Sequence, residues 1–163
     1  MIRATAVLRH SVFPGFSEIR GGPAALSRVL TSNRPSNMQA KKILIVDDSK
    51  VSRMVIRAHV KQMHPDWEVL EAESGDKALA VADQETPDYC TMDINMPGIL
   101  GTDAAEQILK KHPAMRIVIF SANIQQTHQE RAQSIQTCFV AKPVTGKSIE
   151  KAFNYFLNGA ANA

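Results

Sequence analysis

The chain has 163 residues, 44% of them apolar and 21% charged, with 8 glycines and 8 prolines, which fits one globular domain with a real core and excludes collagen-like, wholly disordered and disulfide-dense classes. No apolar run approaches the roughly 18–20 residues needed to span a bilayer, so a transmembrane helix is not expected. The net charge of +3 is unevenly placed: residues 1–40 carry five arginines against Glu18, a net of +4, whereas residues 41–163 carry 14 basic and 15 acidic side chains, so the body has no electrostatic bias toward nucleic acid.

Residues 1–37 lack a sustained period of 2 or 3.6 and are punctuated by Pro14, Gly15, Gly21, Gly22, Pro23 and Pro35. They read as disordered. The stretch is Arg-rich and nearly acid-free, a composition shared with organelle transit peptides, but no apolar core of a secretory signal follows the early arginines. Met38 opens Met-Gln-Ala-Lys-Lys-Ile-Leu-Ile-Val, where a cytosolic domain would begin. Residues 1–39 are therefore read as a basic leader or a non-native start, and residues 40–160 as the domain. Cys90 and Cys138 are the only cysteines and lie in apolar runs; buried thiols in a reducing compartment fit this, and the expected location is the cytoplasm.

From Lys41 onward, short β-branched runs at Ile43–Val46, Trp67–Glu71, Tyr89–Met92, Ile117–Phe120 and Cys138–Ala141 predict five strands. Between them the spacing is helical. Val51, Met54, Val55 and Ala58 fall at i, i+3, i+4, i+7 and predict the buried stripe of a first helix. Ala78, Val81 and Ala82 mark a second, Ala104, Ala105, Ile108 and Leu109 a third, the polar segment around 125–134 a fourth, and Ile149, Ala152, Phe153 and Phe156 a fifth. In that last helix Tyr155 is expected to be the exposed aromatic and a candidate for partner contact. Three strands are almost wholly apolar, as strands covered on both faces are. The prediction is a (βα)5 doubly wound, flavodoxin-like α/β fold: a parallel five-stranded sheet with helices on both faces.

Ligands of such sheets bind at the carboxyl ends of the strands. Strand one ends in Asp47-Asp48, strand three in Asp93, strand four in Ser121 and strand five in Lys142. One Asp or Ser at a strand end often only caps the next helix; five such groups on one edge are hard to explain that way. Crowded carboxylates repel unless a cation joins them, and an oxygen-only set with few carboxylates suits Mg2+ and a phosphoryl oxygen. One carboxylate can then act as nucleophile toward a phosphoryl donor and form an aspartyl phosphate. Asp93, central on the edge, is the natural nucleophile; Asp48 and Asp93 would bind the metal directly and Asp47 through water. Lys142 and Ser121 would hold the remaining phosphoryl oxygens.

Residues 41–158 resemble the receiver domain of two-component response regulators, in its single-domain, chemotaxis-regulator-like form. The matching residues are Ile43-Leu-Ile-Val-Asp-Asp-Ser49, Met92-Asp-Ile-Asn-Met-Pro-Gly98 with Gly101, Ser121-Ala122 and Phe139-Val-Ala-Lys-Pro143. The resemblance implies that Asp93 accepts a phosphoryl group from a sensor histidine kinase or histidine phosphotransfer protein. It implies that Asp47, Asp48, Asp93 and the Asn95 carbonyl organise Mg2+, that Lys142 contacts the phosphoryl group, and that the Lys142–Pro143 bond is cis. Ser121 and Phe139 would be the switch pair, re-shaping the face made by the fourth helix, fifth strand and fifth helix. Catalysis would be limited to the chain's own phosphorylation and dephosphorylation.

Three positions depart from the family pattern. Ile135 and Gln136 replace a frequent Gly-Ala pair, so the fourth helix lacks its expected glycine stop. Leu100 stands where a polar residue is frequent. Asn95 and Asn123, two residues beyond Asp93 and Ser121, would flank the path of an attacking water and help set phosphoryl lifetime. No DNA-binding domain or membrane anchor is evident, so output through an unknown target protein is expected, and a homodimer through the signalling face stays open. The alternatives are a phosphorelay intermediate and a receiver-like module that works without phosphorylation. A capped phosphatase or phosphotransferase would need more chain than the body offers. The histidines lack zinc-ligand spacing, and residues 142–148 lack the first glycine of a phosphate loop.

Overall fold

In the computed structural model, residues 40–122 and 126–159 are described. The predicted leader and Asn123 lie outside them. Five strands alternate with five helices: β1 (Lys42–Val46), α1 (Lys50–Met63), β2 (Glu68–Ala72), α2 (Gly75–Glu85), β3 (Tyr89–Asp93), α3 (Gly101–Lys111), β4 (Arg116–Ser121), α4 (Gln126–Ser134), β5 (Cys138–Ala141) and α5 (Gly146–Asn158). The strands form one parallel sheet in the order β2-β1-β3-β4-β5. The expected architecture is therefore present, with the switch in strand order between β1 and β3.

Alternation along the strands builds a core on each side of the sheet. Leu44, Val46, Cys90, Met92, Ile117 and Ile119 meet Ala78 and Ala82 of α2, Ala104, Ala105 and Ile108 of α3, and Ala132 of α4. On the other side, Ile43, Ile45, Val118, Phe120 and Val140 meet Ile56 and Val60 of α1 and Ile149, Ala152, Phe153 and Phe156 of α5. Each large aliphatic side chain so buried contributes about 1.5–3 kcal/mol. Trp67 precedes β2 rather than starting it, and stacks between His64 (4.2 Å), Tyr89 (4.8 Å) and Phe153 (5.4 Å). Caps place the helix starts: the hydroxyls of Ser49, Ser74 and Thr145 accept the N–H groups of Ser52, Lys77 and Ser148.

Two expectations are corrected. Val51, Met54, Val55 and Ala58 do not face the core; all four are exposed. The inner stripe of α1 is Ile56 and Val60, filled out by the half-buried Ser52, Arg53 and His59, so the richer apolar stripe of letters is the outer one. Tyr155 is buried, and its hydroxyl donates to the Gln136 carbonyl at 2.8 Å, which joins α5 to the loop after α4.

The fourth helix does have a stop. Gln136 takes the left-handed conformation (φ 59°) in the glycine's place. Its N–H bonds to the Gln133 carbonyl and the Thr137 N–H to the Ala132 carbonyl, both at 3.0 Å, which is the Schellman pairing. A non-glycine residue there carries steric cost. Gln136→Gly is therefore expected to stabilise the fold by about 0.5–1 kcal/mol, the relief exceeding the added freedom of the unfolded chain. A raised urea midpoint at constant m-value would bear this out; a lowered midpoint would mean the Gln136 side chain contributes more than its backbone costs.

Candidate functional site

Val46 pairs with Met92 in register, so the next residues of β1 and β3, Asp47 and Asp93, emerge side by side at the carboxyl edge. Asp93 pairs with Phe120 and Ser121 with Ala141, which brings Ser121 and Lys142 to the same edge. Asp47 and Asp93 are buried, Ser121 is fully buried, and Asp48 is exposed. Carboxylate oxygens of Asp47, Asp48 and Asp93 all lie within 4.8 Å of one another.

Lys142 enters from β5. Its Nζ donates to Asp47 Oδ2 at 2.8 Å and lies 3.2 Å from Asp93 Oδ2. Its own N–H bonds to the Ser121 carbonyl at 2.8 Å, and the Lys142–Pro143 peptide bond is cis. The other oxygens are fixed by main chain: Asp47 Oδ1 accepts the Ser49 N–H and Asp93 Oδ1 the Ile94 N–H, each at 2.9 Å. Gly101 is required below the site, because a Cβ there would sit 1.8 Å from the Asp93 carbonyl oxygen. Its N–H bonds to the Ile94 carbonyl at 3.0 Å and closes the loop that carries Asn95 and Leu100, both exposed.

Burial pushes the Asp93 carboxyl above the usual aspartate range, and the Asp47 charge adds to this. The Lys142 charge and hydrogen bond and the Ile94 N–H oppose it without cancelling it. For Lys142, burial works to lower the ammonium's value, but the Asp47 hydrogen bond and the charges of Asp93 and Asp47 outweigh it and leave it raised. Three carboxylates against one ammonium leave an excess of negative charge, and the donors are all oxygen. That set fits a hard divalent cation.

Ser121 and Phe139 lie on adjoining strands with side chains on one face of the sheet, the α3–α4 side, where Phe139 packs partly buried. Among residues that sequence reasoning passed over, Arg53 stands out. Its Nη1 donates to the Asp47 carbonyl at 2.8 Å, and its Nε to Glu71 Oε2 at 3.1 Å. A basic residue in the turn after an acidic pair is its only local signal.

The direction of the Asp93 shift fixes a pH dependence. A carboxyl raised in the folded state binds its proton more tightly than in the unfolded chain, so stability falls as pH rises from the ordinary aspartate value through the raised one. Metal-free Asp93→Asn is thus expected to melt a few degrees above the parent at pH 7, with the gain fading in acid. A lower melting temperature at pH 7 would mean that the Lys142 attraction outweighs burial.

Residues 43–154 match the family model of the response regulator receiver domain. The chain is 34% identical over 116 residues to the chemotaxis protein CheY of Thermotoga maritima, covering 70% of this chain and 95% of that one. It is 35% identical over 123 residues to protein PilH of Pseudomonas aeruginosa, covering 72% and 98%. Among solved structures, the CheY-like receiver domain from Methanospirillum hungatei aligns with a TM-score of 0.68 at 22% identity, over 74% of this chain and 97% of that one, a likeness of fold. Matched by the family model over most of the described domain and by relatives of 34–35% identity covered nearly end to end, the chain belongs to the response regulator receiver domains of two-component signalling.

Proposed function

We propose that this chain is a stand-alone response regulator that takes a phosphoryl group onto Asp93 from the phosphohistidine of a sensor histidine kinase or a histidine phosphotransfer protein. The observation that carries the reading is Lys142 Nζ reaching both Asp47 and Asp93 beside the exposed Asp48. The relatives in Thermotoga maritima and Pseudomonas aeruginosa match this domain over nearly their whole length, which supports a receiver acting without an attached output domain.

In the transfer, an Asp93 carboxylate oxygen attacks phosphorus, the phosphorus–nitrogen bond of the donor breaks, and its electron pair returns to the imidazole. Oδ2 is the oxygen on the Lys142 side, so a phosphoryl group arriving there brings its anionic oxygens to the ammonium. Oδ1 stays on the Ile94 N–H. Mg2+, held by Asp47, Asp48, Asp93 and the Asn95 carbonyl, would neutralise charge on the phosphoryl oxygens. Asp47, anchored by Ser49 and Lys142, would act through water. Asn123 joins Asn95 in this reading as a flank of the hydrolytic water. Catalysis is confined to the chain's own phosphorylation and dephosphorylation.

The output is altered protein–protein contact through the α4–β5–α5 face with an unidentified target protein. Ser121 moves toward the phosphoryl group and Phe139 fills the space it leaves. Support comes from their shared face and from the ties of the region: Arg131 of α4 bonds to Asp103 and Glu106 of α3, and Tyr155 to Gln136. The two buried, unpaired cysteines suit the cytoplasm, and among the described residues no helix is long and apolar enough to cross a membrane.

With acetyl phosphate and Mg2+, the intact mass is expected to gain one phosphoryl group, and to gain none with EDTA or in Asp93→Asn. A gain that persists in Asp93→Asn, or no gain together with no Mg2+ binding, contradicts the reading.

A further inference from the structure

The three clustered carboxylates are held in different ways. Asp47 is fixed by the Ser49 N–H and Lys142, and Asp93 by the Ile94 N–H and Lys142. Among the described residues the Asp48 carboxylate has no hydrogen-bond or ion-pair partner, and it is exposed. Its position is therefore set by its backbone, and that backbone is where Arg53 acts. Nη1 of Arg53 donates to the Asp47 carbonyl at 2.8 Å and lies 3.4 Å from the Asp48 carbonyl, the two peptide groups that flank the Asp48 Cα. The guanidinium is clamped in turn: its Nε donates to Glu71 Oε2 at 3.1 Å, and Glu71 Oε1 accepts from Arg57 at 3.0 Å. The Arg53 side chain is only 12% exposed. Burial acts to raise the Glu71 carboxyl, but the hydrogen bonds from Arg57 and Arg53 outweigh it, so Glu71 stays ionised.

We propose that Arg53 is a positioning residue for the cation site: braced by Glu71 of β2, it holds the Asp47–Asp48 turn so that the Asp48 carboxylate faces Asp47 and Asp93. This rests on the reading of the acidic edge as a divalent-cation site. A planar fork that engages a strand carboxylate on one edge and main-chain carbonyls on the other does what a single ammonium cannot. Groups behind metal ligands that fix their orientation commonly set affinity.

The test is Mg2+ titration of the full chain by calorimetry, well below the melting temperature, for the parent, Arg53→Lys, Glu71→Gln, Arg57→Lys and Asp48→Asn. Arg53→Lys is expected to weaken Mg2+ binding about tenfold, and Glu71→Gln in the same direction. Arg57→Lys, which keeps a cation beside Glu71 and touches neither carbonyl, should weaken binding far less than Arg53→Lys. A merely structural arginine would lower the melting temperature and leave the affinity of the folded protein alone. Unchanged affinity in Arg53→Lys, alongside lost binding in Asp48→Asn, overturns the assignment and leaves the cation site standing. Should Arg53→Lys fail to fold, unchanged affinity in Glu71→Gln overturns it equally. A parent chain that binds no Mg2+ overturns the cation site itself, and this assignment with it.

Discussion

One ammonium between two buried carboxylates organises this molecule. Lys142 reaches Asp47 and Asp93 from just past β5, nearly fifty residues beyond the second of them, and it is itself largely buried. Two carboxylates side by side at the centre of a parallel sheet would be costly without it. The pairing leaves a net negative edge and an Asp93 carboxyl displaced upward by burial. The demand for further positive charge, from a cation or an approaching partner, is thus built into the folded state. The lysine is also tied to the neighbouring strand, because its backbone N–H bonds to the Ser121 carbonyl, and it directly follows the strand that carries Phe139.

Everything around that contact serves to hold it at one place. The apolar strands β1, β3 and β4 fix the register that sets Asp47 beside Asp93, and the two cores cover both faces of those strands. Gly101 lets α3 begin directly against the Asp93 carbonyl. Arg53 and Glu71 brace the first loop. Against this, the far side of the sheet edge is joined by polar ties: Arg131 to α3 and Tyr155 to the Gln136 carbonyl. Apolar packing under the acidic residues, with polar ties joining α4 to α3 and α5 to the loop after α4, suits a site that stays fixed while a neighbouring face changes.

Most of the sheet and the five edge residues were legible in the sequence, because the central strands are written as largely apolar runs and Asp47-Asp48, Asp93, Ser121 and Lys142 each stand at the end of such a run. The face of α1 was not legible. Val51, Met54, Val55 and Ala58 have the right spacing, but the inner stripe includes the stems of Arg53 and His59, which a count of apolar letters passes over. The burial of Tyr155 was not legible either, because its partner, the Gln136 carbonyl, lies 19 residues away and depends on a backbone conformation that glutamine rarely adopts. The bracing role of Arg53 was likewise hidden, since Glu71 reaches it only once β2 lies beside β1.

The central claim is that the β3 carboxylate, and neither of its acidic neighbours, is the acceptor. Borohydride trapping tests it most directly: an acyl phosphate formed in the presence of Mg2+ is reduced to homoserine, and peptide mass spectrometry then reads the position. Homoserine at residue 93, with Asp47 and Asp48 intact, is the predicted result. Homoserine at residue 47 or 48, or a phosphorylated chain with no reducible aspartyl group, would contradict it.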